Sequence, residues 1–299
     1  MKALKPGKAR IAFCIFNYLF IGLLTLICFL PIWQQLVISL SDNNYAMAGM
    51  VTLWPKGFSL DAYAFLIENS QFFKAVVITL ERVVLGTALN MTLCILTAYP
   101  LSKSNDQMHF RTAYVWFFAI TMFISGGMIP TYIAVAKTKI INTIWALLLP
   151  GALATTNMVM MLNFFRGIPK ALEESAFLDG AGHMKTLLHI YLPMSMPSIA
   201  TILLFTLVSH WNNWFDGFIY INRPKDYPLA TYLYAMIKEA EINTERVVSS
   251  AEEYAKQRNV SSKTVRTAQL FLAALPIMSM YPFLQRYFVK GIVLGSVKE

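Results

Sequence analysis

The chain has 299 residues and a formal net charge of +9; 57% of its residues are hydrophobic and 14% are charged. Soluble domains have a charged share of about 25%, so this composition excludes an ordinary soluble protein and predicts an all-α integral membrane protein. The basic residues are scattered between apolar runs, which favours anionic lipid headgroups over nucleic acid as their partner.

Long apolar runs divide the chain into predicted membrane spans. A hydrocarbon core of about 30 Å needs about 20 apolar residues per helix, and the backbone there is satisfied only in helices or closed barrels. The first run follows a basic N-terminus without a small-x-small cleavage site, so we interpret it as an uncleaved signal anchor. We predict a single transmembrane domain, 1–299, with six spans at about 11–33, 83–101, 112–136, 143–165, 198–215 and 267–289.

Two of these spans carry local signals. The third is broken by Ser125-Gly126-Gly127 and Pro130, which predict a kink or an unwound turn. The second is started after Glu81-Arg82, because a charge at the bilayer centre costs about 2.5–3.5 kcal/mol. We expect these two residues to form an ion pair at the membrane interface.

Two long polar loops are predicted on the outer side, 39–73 and 222–266. In the first, Ser59 is placed to cap a short helix. In the second, residues 236–259 have nearly balanced charges and predict a solvated or partner-covered helix. Four basic residues before residue 11 favour a cytoplasmic N-terminus, and six spans then place the C-terminus and loop 166–197 on the same side. The remaining basic residues are nearly balanced between the faces, so this orientation depends on the first span.

Loop 166–197 is patterned as two short helices between apolar runs. Pro169 suits a first helical turn, and Leu172, Ala176 and Asp179 follow at spacings of four and three, predicting a helix of two to three turns. Gly180 can close that helix in a left-handed conformation. A free helix this short is marginal in water, so we expect it to dock on a partner.

Glu174-Ser175-Ala176 and the residues after it resemble the EAA motif (E-A-A, three residues, G, nine residues, I-x-L-P) of permease subunits in binding-protein-dependent ABC importers. The one departure is Ser175, a small residue where the motif usually has Ala. The resemblance implies a type I permease fold whose loop is a cytoplasmic coupling helix, seated in a groove of the ATP-binding subunit. The residues it assigns to coupling are Glu174, Ser175, Ala176, Asp179, Gly180, Ala181, Ile190, Leu192 and Pro193.

Further segments resemble the carbohydrate-uptake (MalG-like) branch of these permeases, in the subgroup that imports complex oligosaccharides. They are 58–63, 98–102, 125–130, 210–216 and 291–298. The branch implies a multi-pass subunit of the cell inner membrane, working with a second homologous permease, two ATP-binding subunits and an extracytoplasmic solute-binding protein. An acidic polysaccharide such as alginate would suit the positive charge, but charge spread over loops does not establish the cargo.

We expect no catalytic, metal or cofactor site in this chain. It has no GxxxxGK[ST] loop, so ATP and Mg²⁺ are expected on the partner subunits. His183 and His189 lie near Glu173 and Glu174 but lack HExxH spacing, which disfavours a metalloenzyme. The three cysteines lie in apolar runs without a CxxC pair, which disfavours a disulfide framework.

Two further groups of residues are functional candidates. Polar residues within the spans are possible substrate contacts, although an interhelical hydrogen bond worth about 0.6 kcal/mol is the alternative for each; they are Asn90, Thr97, Asn157 and Asn163. An aromatic and amide cluster is a possible contact of the binding protein, with an interfacial belt as its alternative; its residues are Trp211, Asn212, Trp214, Asp216, Tyr227 and Pro228.

Two other functions remain open. An ion-coupled secondary transporter would bury carboxylates at mid-membrane, and no Asp or Glu lies deep in a predicted span. An ABC permease for a non-sugar solute, such as an amino acid or phosphate, is disfavoured only by the resemblance.

Overall fold

The structure is a computed structural model that describes residues 7–245 and 263–295. Across these two ranges the regular secondary structure is helical, apart from an isolated antiparallel bridge between Ser41 and Phe58. The predicted all-α class is therefore confirmed. The chain divides into two compact units, one formed by Met1–Asn69 and Glu239–Leu275 and the other by Ser70–Lys238 and Pro276–Glu299.

The first unit begins with helix α1, a 32-residue apolar helix whose side chains are exposed over most of its length. Its last turn is buried, and Val37 and Ile38 pack against Ala46 and Val51. The predicted short helix is present and begins where the hydroxyl of Ser59 accepts the amide of residue 61 at 3.0 Å. The helices are α1 (Lys8–Ser39), α2 (Asn43–Met47), α3 (Asp61–Glu68) and the first part of α15 (Lys263–Gly295).

The second unit is organised around a long helix, α4, which packs against α8 and α12. The centre of this core is fully buried at Cys94, Ala98, Met161 and Ile202. Its helices are α4 (Ser70–Ser102), α5 (Arg111–Phe123), α6 (Met128–Lys137), α7 (Ile144–Leu148), α8 (Thr155–Arg166), α9 (Lys170–Leu178), α10 (His183–Thr186), α11 (Leu192–Met194), α12 (Met196–Asn212), α13 (Phe215–Tyr220) and the first part of α14 (Leu229–Glu245).

Among the described helices, α1 is the one that by itself is long and apolar enough to cross a membrane. The number rises to three if two bent pairs each form one span. One pair is α5 and α6, which meet at 117° around the predicted break at 124–127. The other is His183–Met194 with α12, which meet at 82°.

The fourth predicted span, 143–165, is interrupted in the structure. It consists of α7 and α8 with non-helical residues 149–154 between them. Pro150 has no amide hydrogen to donate, and its ring crowds the carbonyl four residues earlier, so it disfavours a continuous helix at this point. Residues on both sides of the break are apolar, so hydrophobicity alone does not reveal that the helix is interrupted.

The expected Glu81–Arg82 pair differs from the structure, whereas the predicted span 83–101 lies within one helix. Helix α4 begins at Ser70, thirteen residues before the predicted start. Arg82 is buried within the helix and pairs with Asp216, so the prediction that its partner is Glu81 is wrong. The cost of burying this arginine is offset by a partner on a distant segment.

The ends of the later elements differ by a few residues. Helix α12 ends at Asn212 rather than near 215, and a separate helix, α13, follows. The helix predicted for 236–259 begins earlier, at Leu229. Residues 246–262 lie outside the described ranges, as do residues 1–6 and 296–299.

Candidate functional site

Helix α9 reproduces the first helix predicted in loop 166–197. Pro169 is its N-cap, and Gly180 follows its C-cap with φ +79°. The amide of Gly180 donates to Phe177 at 3.0 Å and the amide of Ala181 donates to Ala176 at 2.9 Å. These are the two hydrogen bonds of a Schellman motif, which ends a helix by satisfying carbonyls that would otherwise lack partners.

The segment after α9 is helical from His183 to Met194 and contains one π turn. Helix α10 continues into the π turn Leu187–Tyr191 and then into α11. Pro193 cannot donate to the carbonyl four residues earlier, which favours an irregular turn before it. Tyr191, the last residue of the π turn, is buried.

Helix α9 has one buried face and one exposed face. Glu173, Ala176 and Phe177 lie on the inner face, whereas Glu174 and Leu178 are exposed, Leu178 to 88%. Of the residues assigned to coupling, the exposed ones are Glu174, Ser175, Asp179, Gly180 and Pro193, and the half-buried ones are Ala176, Ala181, Ile190 and Leu192.

A buried ion pair fixes the inner face of α9 to the end of α4. Lys103 directly follows α4, and its Nζ lies 2.7 Å from Oε1 of Glu173. The same Nζ donates to the hydroxyl of Tyr191 at 2.9 Å, and that hydroxyl donates to Oε2 of Glu173 at 2.6 Å. We call these three residues the lysine triad. Sequence reasoning missed it, although the helical period places Glu173 on the same face as Ala176 and Phe177.

Aromatic rings enclose the lysine of the triad. Its Nζ lies 4.0 Å from the ring centroid of Tyr99 and 4.1 Å from that of Tyr191. These two rings pack edge to face at 5.0 Å, and Phe165 packs edge to face against Tyr191 at 5.4 Å. A cation over desolvated ring faces is stabilised by the ring quadrupoles.

The electrostatics of the pair favour ionised Glu173. Burial raises the pKa of Glu173, but hydrogen bonds from Lys103 and Tyr191 and the charge of Lys103 outweigh burial and hold it below the ordinary value of 4.5. Burial lowers the pKa of Lys103, and Glu173 opposes that change.

A cavity of about 210 Å³ borders the triad. It lies where α4, α8 and α9 end or begin, and it is lined by four cationic and two anionic side chains: Lys103, Arg111, Arg166, Lys170, Glu173 and Glu174. Of these, Lys103 and Glu173 are already paired with each other.

The polar residues predicted for a substrate path occupy different environments. Asn90 on α4 is buried, and its side-chain oxygen lies 3.3 Å from the hydroxyl of Thr206 on α12. The amide of Asn157 on α8 donates to the same hydroxyl at 3.3 Å. Thr97 donates to carbonyls of its own helix, whereas Asn163 is exposed. The structure thus joins Asn90 and Asn157 through Thr206, and a substrate role for these four residues stays a prediction.

The residues predicted to contact a binding protein do not form one exposed surface. Trp211 and Pro228 are buried, Asn212 is exposed, and Trp214 stacks on Tyr234 with ring centroids 3.9 Å apart. Tyr227 is half-buried beside Asp226, whose pKa is lowered mainly by a hydrogen bond from Lys74.

Asp216, the sixth residue of that predicted group, is held by an arginine. Its Oδ2 accepts Arg82 at 2.6 Å and the side-chain amide of Asn213 at 2.7 Å. Arg82 also donates to the carbonyl of Asn213 at 2.9 Å and more weakly to that of Leu147 at 3.4 Å. The guanidinium therefore connects α4, α7 and the segment between α12 and α13.

Across the described residues, no group of three His, Cys, Asp or Glu side chains is placed to hold a metal ion. The site therefore consists of a capped surface helix that a buried ion pair fixes to the end of a long core helix.

Comparison with known proteins identifies the class. The family described as binding-protein-dependent transport system inner membrane component matches residues 110–294. A solved structure, described as a bacterial ABC transporter involved in the import of the acidic polysaccharide alginate, has a TM-score of 0.84 and 26% identity, covering 96% of this chain and 100% of that chain. The fold is therefore that of an ABC importer permease, and the chain belongs to the family of inner membrane components of binding-protein-dependent transport systems.

Two relatives from Bacillus subtilis (strain 168) are similar over nearly the whole chain. The polygalacturonan/rhamnogalacturonan transport system permease protein YtcP is 33% identical over 281 residues, covering 94% of this chain and 96% of that protein. Protein LplC is 34% identical over 291 residues, covering 97% of this chain and 96% of that protein. A second solved structure is described as a bacterial alginate ABC transporter in complex with alginate pentasaccharide-bound periplasmic protein. It has a TM-score of 0.57 and 17% identity, covering 91% of this chain and 92% of that chain. This similarity supports the fold alone.

Proposed function

We propose that this chain forms half of the translocation path of an ABC importer for an oligosaccharide or polysaccharide. In this proposal the chain crosses the membrane six times, with both termini and helix α9 in the cytoplasm. The saccharide class is supported by the similarity to a polygalacturonan/rhamnogalacturonan permease and to a structure involved in alginate import.

The observation that carries the coupling role is the exposed face of α9. Leu178 is 88% exposed and Leu172 41% exposed, on a nine-residue helix closed by a Schellman motif. A helix of this length is marginal by itself, so packing against a partner would stabilise it, and Leu178 on its exposed face is available for such packing. Glu174 lies on the same face, where it can meet an arginine or lysine of an ATP-binding subunit.

The proposed assembly contains this chain, a second homologous permease, two ATP-binding subunits and an extracytoplasmic solute-binding protein. ATP and Mg²⁺ belong to the ATP-binding subunits, and this chain is non-catalytic. Closure of those subunits moves α9, and α9 transmits the movement to the membrane helices.

Co-purification tests the assembly. The chain is expressed with its chromosomal neighbours and isolated in detergent, and we expect an ATP-binding subunit and a second permease to remain bound. Reconstituted complex is then assayed for ATP hydrolysis with the solute-binding protein and two probes, alginate pentasaccharide and polygalacturonan oligosaccharide, and we expect one of them to stimulate hydrolysis. Uptake by this chain alone, in liposomes without ATP, would refute the proposal.

A charge reversal at Glu174 tests the docking face. Glu174→Lys places a cation where the partner is expected to present one, so stimulated hydrolysis should be lost while the chain still inserts in the membrane. The matched control is Asp106→Lys, the same charge reversal at an exposed residue between α4 and α5, outside this face. Full stimulation in the Glu174→Lys complex would contradict a coupling role for α9.

A further inference from the structure

We infer that Lys103 and Tyr191 are positioning residues that fix Glu173, and with it the coupling helix α9, to the cytoplasmic end of α4. This inference rests on the proposed function and extends it: the closure movement received by α9 enters the bundle directly through α4. The evidence is the connectivity of α9, the completeness of the triad and the position of α4 in the core.

The backbone by itself does not join α9 to α4. Residues 167–169 connect α9 to α8, and residues 179–182 connect it to α10. Lys103 is 70 positions from Glu173 and 88 from Tyr191. The triad therefore adds a third attachment, to a helix that the local chain does not reach.

The attachment is stiff because each partner is satisfied and shielded from water. The side chains of Lys103 and Glu173 are 5% and 6% exposed. Glu173 receives one hydrogen bond on each carboxylate oxygen, and the ammonium has two oxygen acceptors and two ring faces. Breaking such a pair leaves an uncompensated buried charge, so the three side chains resist separation.

Helix α4 is suited to carry the movement onward. It has 33 residues, a length of about 50 Å at the helical rise. Its inner part packs in the core with α8 and α12, and Asn90 and Arg82 lie further along it, each bonded to another segment. A displacement at Lys103 thus reaches three packed helices and the Arg82–Asp216 pair.

A reversible cross-link distinguishes positioning from folding. Lys103→Cys and Glu173→Cys are combined in a parent whose exposed Cys14 and Cys28 are replaced by alanine; Cys94 is buried and stays. The full complex is assayed with the probe that stimulates wild type. Without a cross-link, stimulated hydrolysis should fall about 2- to 30-fold, the range that changes in a coupling network produce.

Joining the two cysteines with a bis-methanethiosulfonate, which forms a disulfide with each thiol and releases sulfinate, should restore stimulation, and reductant should remove it again by cleaving those disulfides. A residue needed only for folding would not respond reversibly in an assembled complex. The controls are the single Lys103→Cys and Glu173→Cys variants treated with the same reagent, which cannot form the link and should not recover.

Tyr191→Phe provides an independent measurement if the double variant does not assemble. It removes one hydroxyl that bonds both charged partners, and stimulation should fall in the same direction. Wild-type stimulation in the unlinked double variant or in Tyr191→Phe, or no recovery on cross-linking, would overturn this inference while leaving the proposed function intact. Loss of the ATP-binding subunits from wild type, or no stimulation by either probe, would overturn the proposed function and this inference together.

Discussion

At the scale of single residues, the two buried ion pairs described above differ in how evenly they are buried. Lys103 and Glu173 are both almost completely enclosed. In the other pair the side chain of Arg82 is 1% exposed, whereas that of Asp216 is 31% exposed. Removing one partner from an unevenly buried pair should therefore have a cost that depends on which partner is removed.

Asp216→Ala should destabilise the protein more than Arg82→Met. The first change leaves a buried guanidinium without its carboxylate, a loss of about 3–5 kcal/mol for a buried pair. The second leaves a carboxylate that keeps the Asn213 amide and reaches water, so its loss should be smaller. Thermal unfolding of the purified protein in detergent measures both, with Glu81→Gln as a control for an exposed neighbour. Equal losses, or the reverse order, would contradict this assignment.

The Lys103–Glu173 pair predicts a particular dependence on pH. The folded protein holds the pKa of Glu173 below its ordinary value of 4.5. The ionised carboxylate therefore contributes stability that is fully present above that value and is lost as the pH falls through the lower, folded-state pKa. The difference in unfolding midpoint between wild type and Glu173→Gln should be constant from pH 7 to about pH 5 and shrink under more acidic conditions. A difference that grows on acidification would show that the carboxylate is not stabilised by its partners.

At the scale of elements, helix α9 in loop 166–197 was predictable because its signals are local. Pro169 and Gly180 indicate where α9 begins and ends, and a helix of that length follows directly. The interruption at Pro150 and the partner of Arg82 were not predicted. Hydrophobicity extends unchanged across Pro150, and no local pattern relates Arg82 to a carboxylate 134 positions later. The lysine triad was missed for the same reason, since its residues meet only after the chain has folded.

The end of α9 provides a test with a matched control. Gly180 has φ +79°, a conformation that costs an ordinary residue about 1–2 kcal/mol. Gly182 has φ −83°, and a Cβ there meets no atom within 4 Å. Gly180→Ala should therefore lower stimulated hydrolysis by the assembled complex, and Gly182→Ala should leave it near the wild-type level. Similar activities in the two variants would show that the left-handed conformation is not needed for coupling.

At the scale of the whole molecule, family membership and the all-helical fold agree with what composition and the EAA-like motif predict. Counting spans is harder. By length and composition, the described helices include one span, or up to three with bent pairs, whereas the apolar runs predict six. Helix breaks account for part of the difference, because residues 124–127 separate α5 from α6 and residues 149–154 separate α7 from α8 within runs that composition treats as continuous.

Cysteine labelling in intact cells tests the six-span topology and its orientation. With Cys14 and Cys28 replaced by alanine, Lys139→Cys should react with an impermeant maleimide, because six spans from a cytoplasmic N-terminus place that turn outside. Ser175→Cys, in cells that lack the ATP-binding subunits proposed to cover it, should react only after the membrane is permeabilised. Lys139 and Ser175 are both exposed in the structure, so a difference in labelling between them would not result from burial within this chain. Labelling of residue 175 from outside would exclude a cytoplasmic α9.

The π turn at Leu187–Tyr191 has a consequence for how this protein can change by insertion or deletion. Each residue of an α-helix turns the chain by about 100°, so deleting exposed Leu188 would rotate Tyr191 away from Lys103 unless the wide turn absorbed the missing residue. The π turn thus sets the rotation of α9 about the helix axis relative to α12. An insertion or deletion within the π turn changes the rotation of α9 relative to α12. A single side-chain replacement does not produce this change.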